Sequence, residues 1–82
     1  MPQVTTISSR VRDFTGGIDA FQVKALTVRG LIRELDERFP GLGAHVEESM
    51  AIAINGEIYQ DALGANLSDE SEVVLIPKIS GG

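Results

Sequence analysis

The sequence predicts an α+β fold in which a mixed sheet of four or five strands carries one main helix packed across it. Three observations predict it. Two runs of strand character precede a single clear amphipathic helix, two shorter runs follow it around an Asn55-Gly56 pair, and the most hydrophobic stretch, Val73 to Ile76, comes last. A helix set between two hairpins must bury its stripe against one sheet face, which makes a single layered domain.

The opening stretch Val4-Thr5-Thr6-Ile7-Ser8-Ser9 is rich in β-branched residues and reads as a first strand ending near Arg10 to Arg12. Thr15-Gly16-Gly17 supplies a permissive turn, and Phe21, Val23 and Ala25 alternate with Gln22 and Lys24 as a half-buried second strand. Thr27 is a suitable N-cap. After it Val28, Leu31, Ile32, Leu35 and Phe39 fall on one helical stripe. Glu34 with Arg38 and Arg33 with Glu37 lie four apart and are expected on the solvent side, while Gly30 weakens the helix unless something packs closely there. Pro40-Gly41 ends the helix, and Leu42 to Ser49 reads as a loop or short turn.

Met50, Ile52 and Ile54 alternate with Ala51 and Ala53 in a third strand that stops at Asn55-Gly56, a strong two-residue hairpin signal. Ile58-Tyr59 is the short return strand. Asp61 to Asn66 has no regular pattern, Leu67 is placed to plug the core, and Ser68-Asp69-Glu70-Ser71 is a polar turn. Val73 to Ile76 reads as the central strand, closed by Pro77, which cannot donate to a ladder. This order is that of the β-grasp, or ubiquitin-like, arrangement. Residues 1–77 form the domain and residues 78–82 a flexible tail.

Composition narrows the chemistry. An 82-residue chain has little room for a deep substrate cavity, so a self-contained enzyme is not expected. The absence of cysteine excludes disulfides, thiolate metal sites and a cysteine nucleophile, and one histidine, His45, cannot form a His–His metal pair. We expect no metal and no bound cofactor. His45 reads as a solvated or packed histidine, and Asp69, Glu70 and Glu72 as a solvated turn. With no apolar run approaching about 18 residues and no basic-then-apolar N-terminal layout, neither a membrane span nor a secretory signal is expected, and the chain reads as cytoplasmic.

The net charge of −5 is unevenly spread. Six bases nearly balance five acids in residues 1–40, whereas Lys78 alone faces seven acids in residues 41–82. An acidic half repels phosphate backbones, so nucleic acid is disfavoured and a basic protein partner is the better match. The alternative is that acidic loops only keep a small domain soluble.

The tail Lys78-Ile79-Ser80-Gly81-Gly82 can reach at most about 17 Å beyond the sheet. Glycine has no Cβ, so a Gly81-Gly82 end can thread a narrow tunnel and present the Gly82 carboxylate unhindered. That carboxylate is a poor electrophile until an oxygen becomes a leaving group, which a partner enzyme must arrange. The last strand alternates faces: with Val73 and Leu75 toward the helix, Val74 and Ile76 point outward beside Ala53 as an apolar docking patch; the opposite parity exchanges the sets.

Leu75-Ile76-Pro77-Lys78-Ile79-Ser80-Gly81-Gly82 resembles the closing motif of the MoaD/ThiS-like sulfur-carrier proteins, in which a strand ending Ile-Pro-x-x-x-Gly-Gly forms the tail. Matching patterns occur at Thr27-Val28, Arg38-Phe39-Pro40-Gly41, Asn55-Gly56 and Leu67 to Val73, so the resemblance spans Val4 to Gly82. Two departures stand out. Glu70 and Ser71 replace the Gly-Asp of the usual turn, which therefore cannot rely on glycine for a positive backbone angle; and the Leu-Phe-Ala segment of molybdopterin synthase small subunits is missing. Instead, Val11-Arg12-Asp13-Phe14-Thr15-Gly16-Gly17 resembles the Leu-Arg-x-x-Thr-Gly-Gly segment of CysO-type carriers, as a hairpin loop or a partner contact.

The resemblance implies a protein substrate of other enzymes. An E1-like enzyme of the MoeB/ThiF type would use Mg-ATP to adenylate Gly82, and sulfide from a persulfide donor would displace AMP to leave a thiocarboxylate. Residues 78–81 would thread partner active sites. The sulfur would pass to a cysteine synthase, a molybdopterin synthase large subunit or a thiazole synthase. Two alternatives share the first step: a ubiquitin-like modifier forming isopeptide conjugates through Gly82, and a permanent small subunit of a molybdopterin synthase.

Overall fold

A computed structural model describes residues 1–59 and 64–78. The strands are β1 (Gln3–Thr6), β2 (Ala20–Gln22), β3 (Met50–Ile54), β4 (Glu57–Tyr59) and β5 (Glu72–Pro77); the helices are α1 (Ser9–Thr15), α2 (Val28–Arg38) and α3 (Leu42–Ser49). The strands form one mixed sheet in the order β2-β1-β5-β3-β4, with β1 and β5 parallel at its centre and every other pairing antiparallel. This is the β-grasp arrangement expected from the element order, with all five strands in one sheet.

Period-2 alternation decides which face each strand buries. Val4 pairs with Val73 and Phe21, and Ile52 with Leu75, and all these side chains join the core with Val23, Met50 and Ile54. On the helical side Val28, Leu31 and Leu35 of α2 fill the core, and Ile32 and Phe39 pack at its margin, so the predicted stripe is the buried face. Leu67 is buried in the same cluster, as its isolated position in a polar stretch implied.

Thr27 caps α2 by accepting the Gly30 N–H at 3.0 Å. A Cβ on Gly30 would stand 3.1 Å from that same hydroxyl oxygen, so the residue that weakens the helix also makes room for its cap. The Glu34–Arg38 pair is more than a surface ion pair. Glu34 accepts the backbone N–H of Lys24 at 2.9 Å and of Ala25 at 3.1 Å, and Arg38 donates to the Gln22 carbonyl at 2.6 Å, clamping α2 to β2. The Arg38 guanidinium also lies 5.2 Å from the Phe21 ring centre and 5.7 Å from that of Phe39, an attraction of about 0.5–1 kcal/mol each at exposed sites. Arg33 and Glu37, by contrast, do not come within ion-pair distance.

Two helices depart from the sequence reading. The first β-branched run stops at Thr6, because Ser8 caps α1 by accepting the Val11 N–H and Gly16, at φ 72°, closes it. The segment Leu42 to Ser49 is a helix as well, α3, burying Leu42, Gly43 and Val46. The hairpin and the last turn follow expectation. Asn55 (φ 50°) and Gly56 (φ 87°) adopt left-handed angles, while neither Glu70 nor Ser71 does. Ser71 N–H instead donates to the Ser68 carbonyl at 3.0 Å, an ordinary β-turn that needs no glycine.

Candidate functional site

The end of β5 is where the sequence places its chemistry. Thr6 Oγ1 donates to the Leu75 carbonyl at 3.0 Å and accepts the Ser8 N–H at 3.0 Å, tying the top of β1 to β5 at the point where α1 begins. Lys78, expected to have no backbone partner, donates its N–H to the Ser49 carbonyl at 3.0 Å. The sheet-bound part of the chain thus runs one residue past Pro77, and the tail is rooted beside the C-terminus of α3. Ile79, Ser80, Gly81 and Gly82 lie outside the described residues.

The parity of β5 is resolved by burial. Val73 and Leu75 are fully buried in the core, so Val74 and Ile76 stand half-buried on the opposite, open face. Ala53 pairs directly with Val74, and Ile76 with Ala51, so the three expected patch residues adjoin, but Ala53, like Ala51, is buried by its neighbours and the accessible apolar surface comes from Val74 and Ile76. Across the sheet the register extends the patch into a row running Ala20, Thr5, Val74, Ala53, Ile58. Ile58 is 63% exposed and Ile7, just past the end of β1, is 78% exposed. The sequence patch of Ala53, Val74 and Ile76 does not include Ala51, Ile58 or Ile7. The signals were present: Ile58 sits opposite Ala53 once the Asn55-Gly56 turn sets the register, and Ile7 continues the parity of Thr5.

The charges fall into two groups. Glu57 and Glu72 lie at the hairpin end of the sheet with the Asp69-Glu70 turn, where Asn55 Oδ1 accepts the Glu72 N–H at 2.9 Å. Glu47 and Glu48 are exposed in the last turn of α3, next to Ser49 and hence to the root of the tail. Tyr59 OH donates to Glu57 Oε2 at 2.8 Å, and that bond, followed by the charge of the carboxylate, holds the phenol above its ordinary pKa.

The remaining candidates are structural. His45 is partly buried with its ring 5.5 Å from that of Phe14, and its Nε2 is enclosed without a hydrogen-bond partner, which makes it a packed histidine. Arg12 and Thr15-Gly16-Gly17 belong to α1 and its C-terminal cap: the Arg12 carbonyl accepts the Gly17 N–H at 2.9 Å, and Thr15 Oγ1 donates to the Ile18 carbonyl at 2.7 Å. A shallow groove of about 620 Å³ between α2 and β2 is lined by Lys24, Arg33, Glu34, Glu37 and Arg38, and takes no wall from β5. Among the described residues no group of His, Asp or Glu is placed to hold a metal ion, and no helix is long and apolar enough to cross a membrane.

With an anchored strand, an open apolar face and a β-grasp core in place, the likeness to known proteins is extensive. Residues 6–82 match the ThiS family. The chain belongs to the ThiS family. This ThiS-family chain is thereby one of the small MoaD/ThiS-like sulfur carriers that its motifs resemble. It is 31% identical over 72 residues to a molybdopterin synthase sulfur carrier subunit of Pyrenophora tritici-repentis (strain Pt-1C-BFP), covering 84% of this chain and 77% of that one. The CysO of an Amycolatopsis orientalis BexX/CysO complex superposes with a TM-score of 0.82 at 26% identity over 100% of both chains. Mycobacterium tuberculosis CysO, at 19% identity, shares the fold with a TM-score of 0.83 over 96% of this chain and 100% of that one.

Proposed function

We propose that this chain carries sulfur on its C-terminal glycine. An E1-like enzyme of the MoeB/ThiF type uses Mg-ATP to turn the Gly82 carboxylate into an acyl adenylate, releasing pyrophosphate. Sulfide sulfur then attacks the carbonyl carbon, AMP leaves, and a thiocarboxylate remains for transfer to a biosynthetic acceptor. The chain acts as a cytoplasmic protein substrate, threading Ile79, Ser80 and Gly81 into its partners from Lys78, which stays at the root of the tail.

The observation that carries this reading is the anchoring of Lys78 to Ser49 at the rim of the open face. A rooted tail beside an apolar surface lets a partner hold the body by Val74 and Ile76, with Ala53 as the floor between them and Ile58, while it works on the end. Burial of such a patch stabilises a complex in proportion to the apolar area removed from water, about 25 cal/mol per Å² before association costs. Membership of the ThiS family supports the chemistry.

The acceptor divides two ways. The relative named as a molybdopterin synthase sulfur carrier subunit favours a molybdopterin synthase large subunit. The likeness to CysO in the BexX/CysO complex, together with the Val11 to Gly17 segment, favours a cysteine-synthase type of acceptor. Incubation with a MoeB/ThiF-type enzyme, Mg-ATP and a sulfide source should add the mass of one oxygen-to-sulfur exchange at Gly82. If a chain lacking Gly82 gained the same mass, the proposal would be wrong; Gly82-dependent protein conjugates without a thiocarboxylate would indicate a modifier instead.

A further inference from the structure

The two edges of the sheet are finished differently. Along β2 and just beyond it, α2 covers part of the outward-facing backbone: Arg38 takes the Gln22 carbonyl, and Glu34 takes the N–H groups of Lys24 and Ala25. A helix lying along an edge in this way hinders the approach of another strand. At β4 the pattern is the reverse. Asn55 and Gly56 form a two-residue turn with both residues left-handed, the type I′ geometry that closes a hairpin on a hydrogen-bonded pair, here Ile54 and Glu57.

Alternation along the antiparallel ladder then makes Ala53–Ile58 a non-hydrogen-bonded pair, so the Ile58 N–H and C=O point away from the sheet. Among the described residues neither has a partner. The Ile58 side chain, 63% exposed, extends the open-face row at the same edge.

We propose that β4 is a self-association edge, to which a second copy of this chain adds its own β4 antiparallel about a twofold axis through Ile58. In this arrangement the two Ile58 residues exchange both backbone hydrogen bonds, N–H of each to C=O of the other. Their side chains lie opposite one another on the open face, so the row Val74, Ala53, Ile58 continues into the second copy without a break. On the other face Glu57 stands across from Tyr59 of the second copy, and Tyr59 across from its Glu57. That pairing is chemically matched, since phenol and carboxylate already bond at 2.8 Å within one chain. A twofold antiparallel pairing also closes the assembly at two copies, because each copy contributes the same β4 edge.

Sedimentation of the whole chain from about 10 μM to about 1 mM tests the idea, because an interface this small implies weak association. Wild type should show a reversible monomer–dimer equilibrium, and the Ile58 amide should exchange its proton more slowly as concentration rises. Ile58→Lys sets two like charges across the axis and should weaken dimerisation by at least about tenfold. Ile7→Lys alters an exposed open-face residue separated from β4 by two strands, and should leave the dimer intact. Thermal unfolding of both variants separates loss of fold from loss of pairing. A wild type that stays monomeric throughout would overturn the proposal, as would a dimer abolished equally by both variants or one in which Ile58 exchange is independent of concentration.

Discussion

Asp36 supplies the cap that Gly43 and its neighbours need: its Oδ1 accepts the N–H of Gly41 at 3.1 Å and of Gly43 at 3.2 Å. The N-cap residue of α3 is Gly41, at φ 93°, with no side chain to do this itself. One carboxylate in the last turns of α2 therefore begins α3 and sets the crossing of the two helices. Asp36→Ala should lower stability by about 0.5–2 kcal/mol, and Asp36→Asn, which keeps an acceptor oxygen, by less. Urea unfolding measures both; an unchanged midpoint in the alanine variant would mean that water caps α3 equally well.

Gly43 makes the opposite case to the usual glycine-in-helix argument. Propensity alone says that alanine there should gain about 0.5–1 kcal/mol. A Cβ, however, would stand 2.8 Å from the Ile32 carbonyl oxygen and 2.7 Å from the Asp36 Cβ, neither at the end of a flexible chain. Gly43→Ala should therefore destabilise by about 1–3 kcal/mol as overpacking pushes α3 off α2. A stabilised variant would show that the crossing is looser than this geometry.

Tyr59 is the only tyrosine, so its ultraviolet titration can be read without ambiguity. Its folded pKa is raised above the ordinary value of 10.0 by the hydrogen bond to Glu57 and then by the carboxylate's charge. The neutral phenol is the favoured form in the folded chain. Its contribution to stability is complete below pH 10 and is lost as pH rises through the folded pKa. Glu57→Gln should bring the titration midpoint down toward that of an unfolded chain; a midpoint that does not move would place the cause elsewhere.

What could be read from sequence depended on whether the controlling group was nearby in the chain. The α2 stripe was legible because Thr27 and five apolar positions all sit within it, and the β3–β4 hairpin because Asn55-Gly56 fixes both turn and register. α3 was missed because its cap is Asp36, which belongs to the preceding helix, and its apolar positions are only Leu42 and Val46. α1 was missed because Ser8 follows a β-branched run and reads as its continuation, although Ser8 and Gly16 are both capping residues. The adjacency of Ala53, Val74 and Ile76 is legible up to its parity, which only the burial of Val73 and Leu75 decides, whereas the burial of Ala53 among its neighbours is not. Glu34 and Arg38 have the spacing of a solvent pair, and nothing local indicates that β2 lies within their reach.

Glu47 and Glu48 put two negative charges in the C-terminal turn of α3, where the helix dipole opposes them and the turn itself holds no base. Glu48→Lys should therefore stabilise the fold, by about 0.3–1 kcal/mol at low salt. The same residues flank Ser49, which holds Lys78, so a partner reaching the tail passes beside them. If their charge serves a basic partner, the more stable variant should be activated more slowly, with the difference shrinking as ionic strength rises. Parallel thermal melts and adenylation rates check the two halves; faster or equal adenylation at low salt would remove the acidic turn from the docking surface.

The open face offers the sharpest separation of docking from folding. Val74 lies in the central strand but points away from the core, between Thr5 and Ala53, so a lysine there can carry its charge outward along its apolar stem. Val74→Lys should leave the melting transition within the range of ordinary surface substitutions. If Ala53, Val74 and Ile76 hold the activating enzyme, kcat/KM for adenylation should fall by about tenfold or more, chiefly through KM, because the lost contact is made equally in the ground state and the transition state. Core-facing Val73→Lys is the control for what misfolding does to the same assay, since it buries an unpaired charge. An undiminished kcat/KM for Val74→Lys would mean that the partner holds this chain by its tail alone.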